Sequence, residues 1–299
     1  MSRRLNENGK RSVVFTVKEG FLDKPMTVRC GRCIGCRLEY SRQWAIRCLH
    51  EASLHKENCF ITLTYRPEEL PENGTLVKKH FQDFMKRLRK RIGKKIRFYH
   101  CGEYGEKTAR PHYHAIIFGY MFKDLKLFER RNGKDYLTSP LLEEIWGKGI
   151  VVVGEVTFDS AAYVARYVTK KVNGDKLEEV DPITGLKPYE RFDSKTGDIV
   201  TVEKEYATMS RRPGIAADWF KKYKSDCYPS DFITVRGIKM KPPKYYDDML
   251  VEIDEEMFNT VKSRRRKEAK LRKEESTTER LLATEKVNKA RLNLKDRSL

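Results

Sequence analysis

The sequence predicts an α+β fold: a ferredoxin-like split-βαβ antiparallel sheet carrying helical and loop extensions. Three observations support this. From residue 59 onward, short β-branched and aromatic runs alternate with stretches of helical period, in the order β, α, β, β, α, β and then a further helix. Gly and Pro punctuate the joins between them. Nothing repeats at a solenoid period, so the 299 residues read as one globular unit with extensions.

Taken in order, residues 1–29 show weak alternation at Val13–Val17 and a turn at Lys24-Pro25. Residues 37–55 are helical, with Leu38, Trp44, Ala45, Leu49 and Ala52 set among charged residues. Cys59-Phe-Ile-Thr-Leu-Thr-Tyr65 is a strand that stops at Arg66-Pro67. Residues 76–91 form a helix with Phe81, Phe84, Met85 and Leu88 on one face and Gly93 as its stop. Residues 97–103 and 112–118 are the second and third strands, joined by a loop. Residues 140–146 form a short helix closed by Gly147, and the fourth strand centres on residues 150–153. Asp159 or Ser160 caps the last helix, which runs to Lys171 and ends at Asn173-Gly174. This plan places both helices on one sheet face and leaves the other open for a ligand. RNA-recognition modules share the plan, so the fold alone does not select a function.

The implied organisation is an N-terminal cysteine-containing segment and helix (1–58), a core (59–174), an accessory region (175–261) and a basic tail (262–299). Turn signals at Asp181-Pro182, Thr184-Gly185 and Thr196-Gly197 make 175–198 loop-like, and structure resumes near 219–223 and 245–258. The tail holds 14 Lys and Arg against 6 Asp and Glu, and its sparse leucines suggest a solvated, partly helical extension. Such a tail either grips phosphates or does nothing specific.

The formal charge is +19, from 62 Lys and Arg against 43 Asp and Glu. A surplus of this size points to a polyanionic partner, most often nucleic acid, with simple solubility as the plainer explanation. No apolar run approaches the roughly 18 residues of a membrane span, and the first ten residues are polar. A secreted or membrane-embedded protein is not expected. The seven cysteines are then expected to be reduced.

His112 and His114 stand two apart on a strand, so both imidazoles leave one sheet face while Tyr113 leaves the other. Alone, the pair reads equally as two half-buried histidines with separate hydrogen bonds. Glu103 changes the balance, because it ends the strand that must pair with theirs and can complete a 2-His-1-carboxylate set. Open positions on such an N/O set suit Mn²⁺ or Mg²⁺ acting on a phosphate. Glu106, inside the loop, is the competing carboxylate. On the last helix, Tyr163 and Tyr167 are four apart and share a face, with Lys170 and Lys171 one turn on. Tyrosines at this spacing commonly pack a core. Here Ala162, Val164, Ala165 and Val168 can fill that side and leave the tyrosines facing the metal across the open sheet.

Phe60-Ile-Thr-Leu-Thr-Tyr65, Arg110-Pro-His-Tyr-His-Ala-Ile-Ile-Phe118 and Tyr163-x-x-x-Tyr167-Val-x-Lys-Lys171 together resemble the three ordered motifs of HUH rolling-circle replication endonucleases. Tyr113 departs mildly from the aliphatic residue common between the two histidines. Residues 30–48 and 209–215 are similar to segments of replication initiators of small single-stranded DNA phages, the microviruses, particularly the gokushovirus branch. The likeness spans residues 28–220 and omits the tail. It implies metal ligation by Glu103, His112 and His114, and nucleophilic attack by Tyr163 and Tyr167 on a phosphodiester. The products are a 5′-phosphotyrosine and a free 3′-OH. Lys170 or Lys171 would lower the tyrosine pKa or steady the phosphate. It further implies single-stranded or origin DNA as substrate, a host DNA polymerase and, since no P-loop is present, a host helicase as partners, and the host bacterial cytoplasm as the setting. A non-catalytic nucleic-acid binder on the same sheet, or an HUH transposase or relaxase, are the alternatives.

Cys30, Cys33 and Cys36 form C-x₂-C-x₂-C, with Cys48 twelve residues later. One reading is a structural Zn²⁺ at Cys30, Cys33 and Cys36; the other is reduced cysteines in a tight turn. A helix unbroken from Cys36 to Cys48 would hold those two about 18 Å apart and exclude a shared metal.

Overall fold

A computed structural model describes residues 2–5, 11–14, 16, 28–105, 108–131, 133–170, 172 and 174–293. In chain order the elements begin with a hairpin of β1 (Ser2–Leu5) and β2 (Arg11–Val14) and then α1 (Ile34–Ala52). The core comprises β3 (Asn58–Leu63), α2 (Lys78–Ile92), β4 (Arg97–Tyr104) and β5 (Pro111–Phe118). Next come β6 (Lys126–Arg131), β7 (Lys134–Thr138), α3 (Pro140–Trp146), β8 (Val151–Gly154) and α4 (Phe158–Lys170). Beyond these lie β9 (Glu190–Phe192), β10 (Ile199–Thr201), β11 (Tyr206–Met209), α5 (Ala217–Tyr223), β12 (Ile233–Val235) and β13 (Ile238–Met240). Three helices close the chain: α6 (Lys244–Ile253), α7 (Glu255–Leu271) and α8 (Thr278–Asn293).

The class is α+β, as expected. One antiparallel sheet of seven strands runs β11-β4-β5-β3-β8-β7-β6. The four strands expected from the sequence sit side by side at its centre. Three additions extend it: the β6–β7 hairpin on one side and β11, paired with β4, on the other.

Alternation along the strands sorts their residues onto two faces. Cys59, Ile61, Leu63, Tyr113, Ala115 and Ile117 pack under Phe81, Phe84, Met85 and Leu88 of α2 and Leu142, Ile145 and Trp146 of α3. Phe60, Tyr99, Cys101, Ile116 and Phe118 pack on the opposite face against Ala45, Ile46 and Cys48 of α1 and Ala161, Val164 and Ala165 of α4. The second face is therefore covered, not open. Its strands carry apolar residues at both parities, as in Ala115-Ile-Ile-Phe118, and a bare face would leave Ile116 and Phe118 in water. Burying two such side chains is worth about 1.5–3 kcal/mol each.

The stops fall where the sequence puts them. Gly93 and Gly147 take left-handed conformations (φ 63° and 67°) and return their N–H groups to the carbonyls of Arg89 and Glu143. Ser139 caps α3 by accepting from Leu142 N, with Pro140 in the first turn. The cap of α4 differs from expectation. Thr157 Oγ1 accepts from Ser160 N (3.1 Å) while Ser160 Oγ accepts from Thr157 N (2.8 Å), a reciprocal pair that starts ahead of Asp159.

Buried Glu51, near the end of α1, fastens this layer to the sheet and to α5. Its carboxylate meets Arg97 Nε of β4 at 2.6 Å and accepts from Ala216 N at the start of α5, also at 2.6 Å. The loop-like expectation for 175–198 meets a small β9–β10 hairpin there. The 261/262 boundary falls inside α7, where Val261 is buried and Arg265 holds Asp231 and Asp247. No helix among the described residues is long and apolar enough to cross a membrane.

Candidate metal centre beside the α4 tyrosine

Strand pairing assembles the expected triad. In the β4–β5 register Glu103 lies opposite His112, and Cys101 opposite His114; on the other side of β5, Thr62 lies opposite His114. Residues directly opposite in an antiparallel pair share a face, so Glu103, His112, His114 and Thr62 converge. Glu103 Oε1 is 2.6 Å from His112 Nε2 and 3.0 Å from His114 Nε2. Glu103 and His114 are both buried, at 2% and 1% exposure, while His112 is partly open to solvent.

Each imidazole is held from behind as well. His112 Nδ1 lies 3.1 Å from the Arg110 carbonyl, which can only accept. His114 Nδ1 meets Thr62 Oγ1 at 2.9 Å. With its Nδ1 proton given to Arg110 O, a neutral His112 turns a lone pair from Nε2 toward a carboxylate oxygen. Two lone pairs 2.6 Å apart repel, so the arrangement is complete only with a positive charge between them, either a proton or a metal ion. The second carboxylate oxygen, Glu103 Oε2, is buried without a hydrogen-bond partner among the described residues. A buried acceptor left unpaired costs about 1–3 kcal/mol. Three donors within 4.8 Å of one another, one with an unused lone-pair-bearing oxygen, fit a hard or borderline divalent cation. Burial pushes the Glu103 carboxyl up, but the hydrogen bonds and charge of the two histidines outweigh it and hold the group below the usual range.

Tyr163 comes to this site from α4. Its ring stands perpendicular to the His114 ring at 5.0 Å and edge-on to Phe60 at 6.4 Å, while Phe60 stacks on His114 at 5.6 Å. It is buried within the α1–α4 layer, not displayed on an open sheet. The side chains of Tyr167 and Lys170, and the whole of Lys171, lie outside the described residues, as does the competing Glu106.

Thr62 is the residue that sequence reasoning passed over. Its position in the first strand motif was visible, yet its role needs the knowledge that β3 is the neighbour of β5. Tyr113, between the ligands, faces the other layer, where its hydroxyl meets Tyr65 Oη at 2.7 Å and donates to Val77 O at 3.0 Å. These bonds anchor the strand from behind the histidines and explain an aromatic at that position.

The cysteines divide into two kinds. Cys48, Cys59, Cys101 and Cys227 are buried, whereas Cys30 and Cys33 are exposed and Cys36 is intermediate. The three sulfurs of Cys30, Cys33 and Cys36 lie within 4.8 Å of one another. Helix α1 runs unbroken through Cys36 and Cys48, so Cys48 belongs to the core and not to that group. Hydrogen bonds from the backbone of Cys33 and Arg32 lower the Cys30 thiol to about 6.

Comparison with known proteins gives these geometries a family. Residues 58–172 match the family described as replication-associated protein ORF2. The chain is 34% identical over 260 residues to replication-associated protein ORF2 of Spiroplasma virus 4, covering 82% of this chain and 74% of that protein. It is 31% identical over 231 residues to replication-associated protein VP4 of Bdellovibrio phage phiMH2K, covering 73% and 66%. It is 33% identical over 252 residues to replication-associated protein ORF4 of Chlamydia phage 1, covering 79% and 58%. No solved structure matches. The chain belongs to the replication-associated proteins of microviruses.

Proposed function

We propose that this member of the family nicks phage DNA, single-stranded or supercoiled, at the replication origin and rejoins the ends in rolling-circle replication, as an HUH endonuclease and strand transferase. The observation that carries this reading is the buried Glu103 carboxylate meeting both imidazoles, with the Tyr163 ring directly against His114. A pure binding module has no use for a buried N/O donor set of this kind.

Glu103, His112 and His114 would hold Mg²⁺ or Mn²⁺, which supplies charge stabilisation at the scissile phosphate. The hydroxyl of Tyr163 or Tyr167 attacks phosphorus in line and loses its proton. The new Oη–P bond forms as the P–O3′ bond breaks, and the departing 3′ oxygen takes up a proton. The product is a 5′-phosphotyrosine that conserves the bond energy beside a free 3′-OH. Transfer back reverses the exchange: a 3′-OH attacks the phosphotyrosine and the tyrosine regains its proton. Two tyrosines allow one to hold the old 5′ end while the other cuts the new junction. Lys170 and Lys171 favour the phenolate or steady the phosphate. Thr62 and the Arg110 carbonyl keep the two imidazoles aimed at one point. A host polymerase extends the 3′-OH, and a host helicase opens the duplex.

Incubation of the full chain with end-labelled single-stranded origin DNA and Mn²⁺ is expected to yield a DNA–protein adduct that survives denaturation. Retention of DNA with no adduct and no nick would replace this reading with that of a non-catalytic binder.

A further inference from the structure

We propose that Cys30, Cys33 and Cys36 bind one zinc ion through three thiolates, and that this zinc knuckle pins the start of α1 against the far end of α4. The inference rests on the cysteine geometry and does not require the nicking reading.

Exposure is the first argument. Cysteine is among the most buried residue types when it serves only as a small hydrophobe, and four of the seven here do so. The other three gather at the surface within seven residues. Distance is the second. Zn–S bonds of about 2.3 Å in a tetrahedron place sulfur pairs about 3.8 Å apart. Cys30 Sγ and Cys36 Sγ are 3.8 Å apart. Cys33 N donates to Cys30 Sγ at 3.3 Å, a bond that folds the loop around the sulfurs and favours the thiolate form. Three sulfur donors select a thiophilic ion, in contrast to the N/O set on the sheet. No His, Asp or Glu joins the group among the described residues, and the fourth position faces solvent. Three thiolates on a divalent ion leave one negative charge, and Arg29, Arg32 and Arg37 flank the loop in sequence.

The knuckle's neighbours give it a purpose. Helices α1 and α4 pack antiparallel, with Ser41 Oγ of α1 donating to Ala162 O of α4 at 2.9 Å. One end of this pair brings Arg32 against the turn after α4. A Cβ added at Gly174 would come within 2.6 Å of the Arg32 guanidinium, so the loop and that turn are in close contact and glycine is needed there. Fixing Cys30–Cys36 through one ion therefore limits how far the end of α4 can move. The residues so restrained adjoin the paired-tyrosine motif.

Metal analysis of the full chain, purified without chelator, tests the site. About one zinc per chain is expected, falling at least tenfold in Cys33→Ser and unchanged in His112→Ala. Cobalt titration of the zinc-stripped wild-type chain is expected to produce a near-ultraviolet thiolate-to-metal band, absent from Cys33→Ser, with helix content unchanged. That arm stands even if the serine variant folds poorly. Hydrogen–deuterium exchange of residues 158–170 is expected to rise when zinc is removed. No zinc and no cobalt band, or zinc lost with His112→Ala and kept by Cys33→Ser, overturns the site. Zinc bound with exchange unaltered on its removal overturns the coupling to α4. Nicking activity enters none of these readings.

Discussion

The two ligand clusters of this protein are built by opposite means. Cys30, Cys33 and Cys36 come together within one turn and the first residues of a helix, exposed, through sulfur. Glu103, His112 and His114 come together through the pairing of β4 with β5, largely buried, through nitrogen and oxygen. The first needs only a local loop; the second needs a hairpin in the correct register and a third strand, β3, to orient His114. In the buried site each charge interaction is weakly screened and each donor is pre-aimed, which suits chemistry. The exposed site has neither property and suits a clamp.

The largest expected effect falls on the sheet side of the comparison. The double variant Tyr163→Phe, Tyr167→Phe is expected to retain DNA and form no covalent adduct. Each single variant is expected to keep some nicking while losing strand transfer between two junctions. Any adduct in the double variant, seen on a denaturing gel, would refute the paired nucleophile.

Next, His112→Ala is expected to lower Mn²⁺-dependent cleavage by about a hundredfold or more with DNA retention preserved. Cys33→Ser is expected to leave Mn²⁺ affinity at the sheet site untouched. A cysteine variant that weakened Mn²⁺ binding as much as a histidine variant would erase the distinction between the clusters.

Thr62→Val sharpens the contrast, because it removes a contact to His114 without touching a ligand. Mn²⁺ affinity measured calorimetrically is expected to fall about 10- to 100-fold, and Thr62→Ser to restore most of it. Equal affinity in the valine variant would reduce Thr62 to packing.

A smaller effect concerns a histidine outside both clusters. His50 stacks on Trp219 at 3.5 Å, with Nδ1 2.7 Å from Tyr246 Oη, and burial lowers it to about 4. In the unfolded chain it takes a proton near about 6.5, so folded-state stability is full above that pH and declines as pH falls toward about 4. The loss amounts to about 3 kcal/mol, and His50→Phe is expected to flatten the acid limb of a denaturant-stability profile. An unchanged limb would assign acid sensitivity to other groups.

The smallest effect belongs to the tail. Arg265 is tied to Asp231 and Asp247, so truncation must begin beyond α7 to spare the fold. Deleting residues 274–299 is expected to shallow the dependence of DNA affinity on salt concentration. An unchanged slope would mean that α8 makes no phosphate contacts.

Much of this molecule is written in short stretches of sequence. Period-two and helical patterns set the core strands and helices, Gly93 and Gly147 set their stops, and the His-x-His spacing puts both imidazoles on one face, because each depends on interactions among residues a few positions apart. The tertiary structure decided the rest. That α1 and α4 cover the second face, that Tyr163 is buried against His114, and that β11 extends the sheet beside β4 all depend on contacts between distant segments. Thr62 is the sharpest case: a β-branched residue suited to any strand, it acquires its contact only because β3 lies beside β5, fifty-two positions away. Local propensity cannot encode a neighbour; burial of both sheet faces selects it.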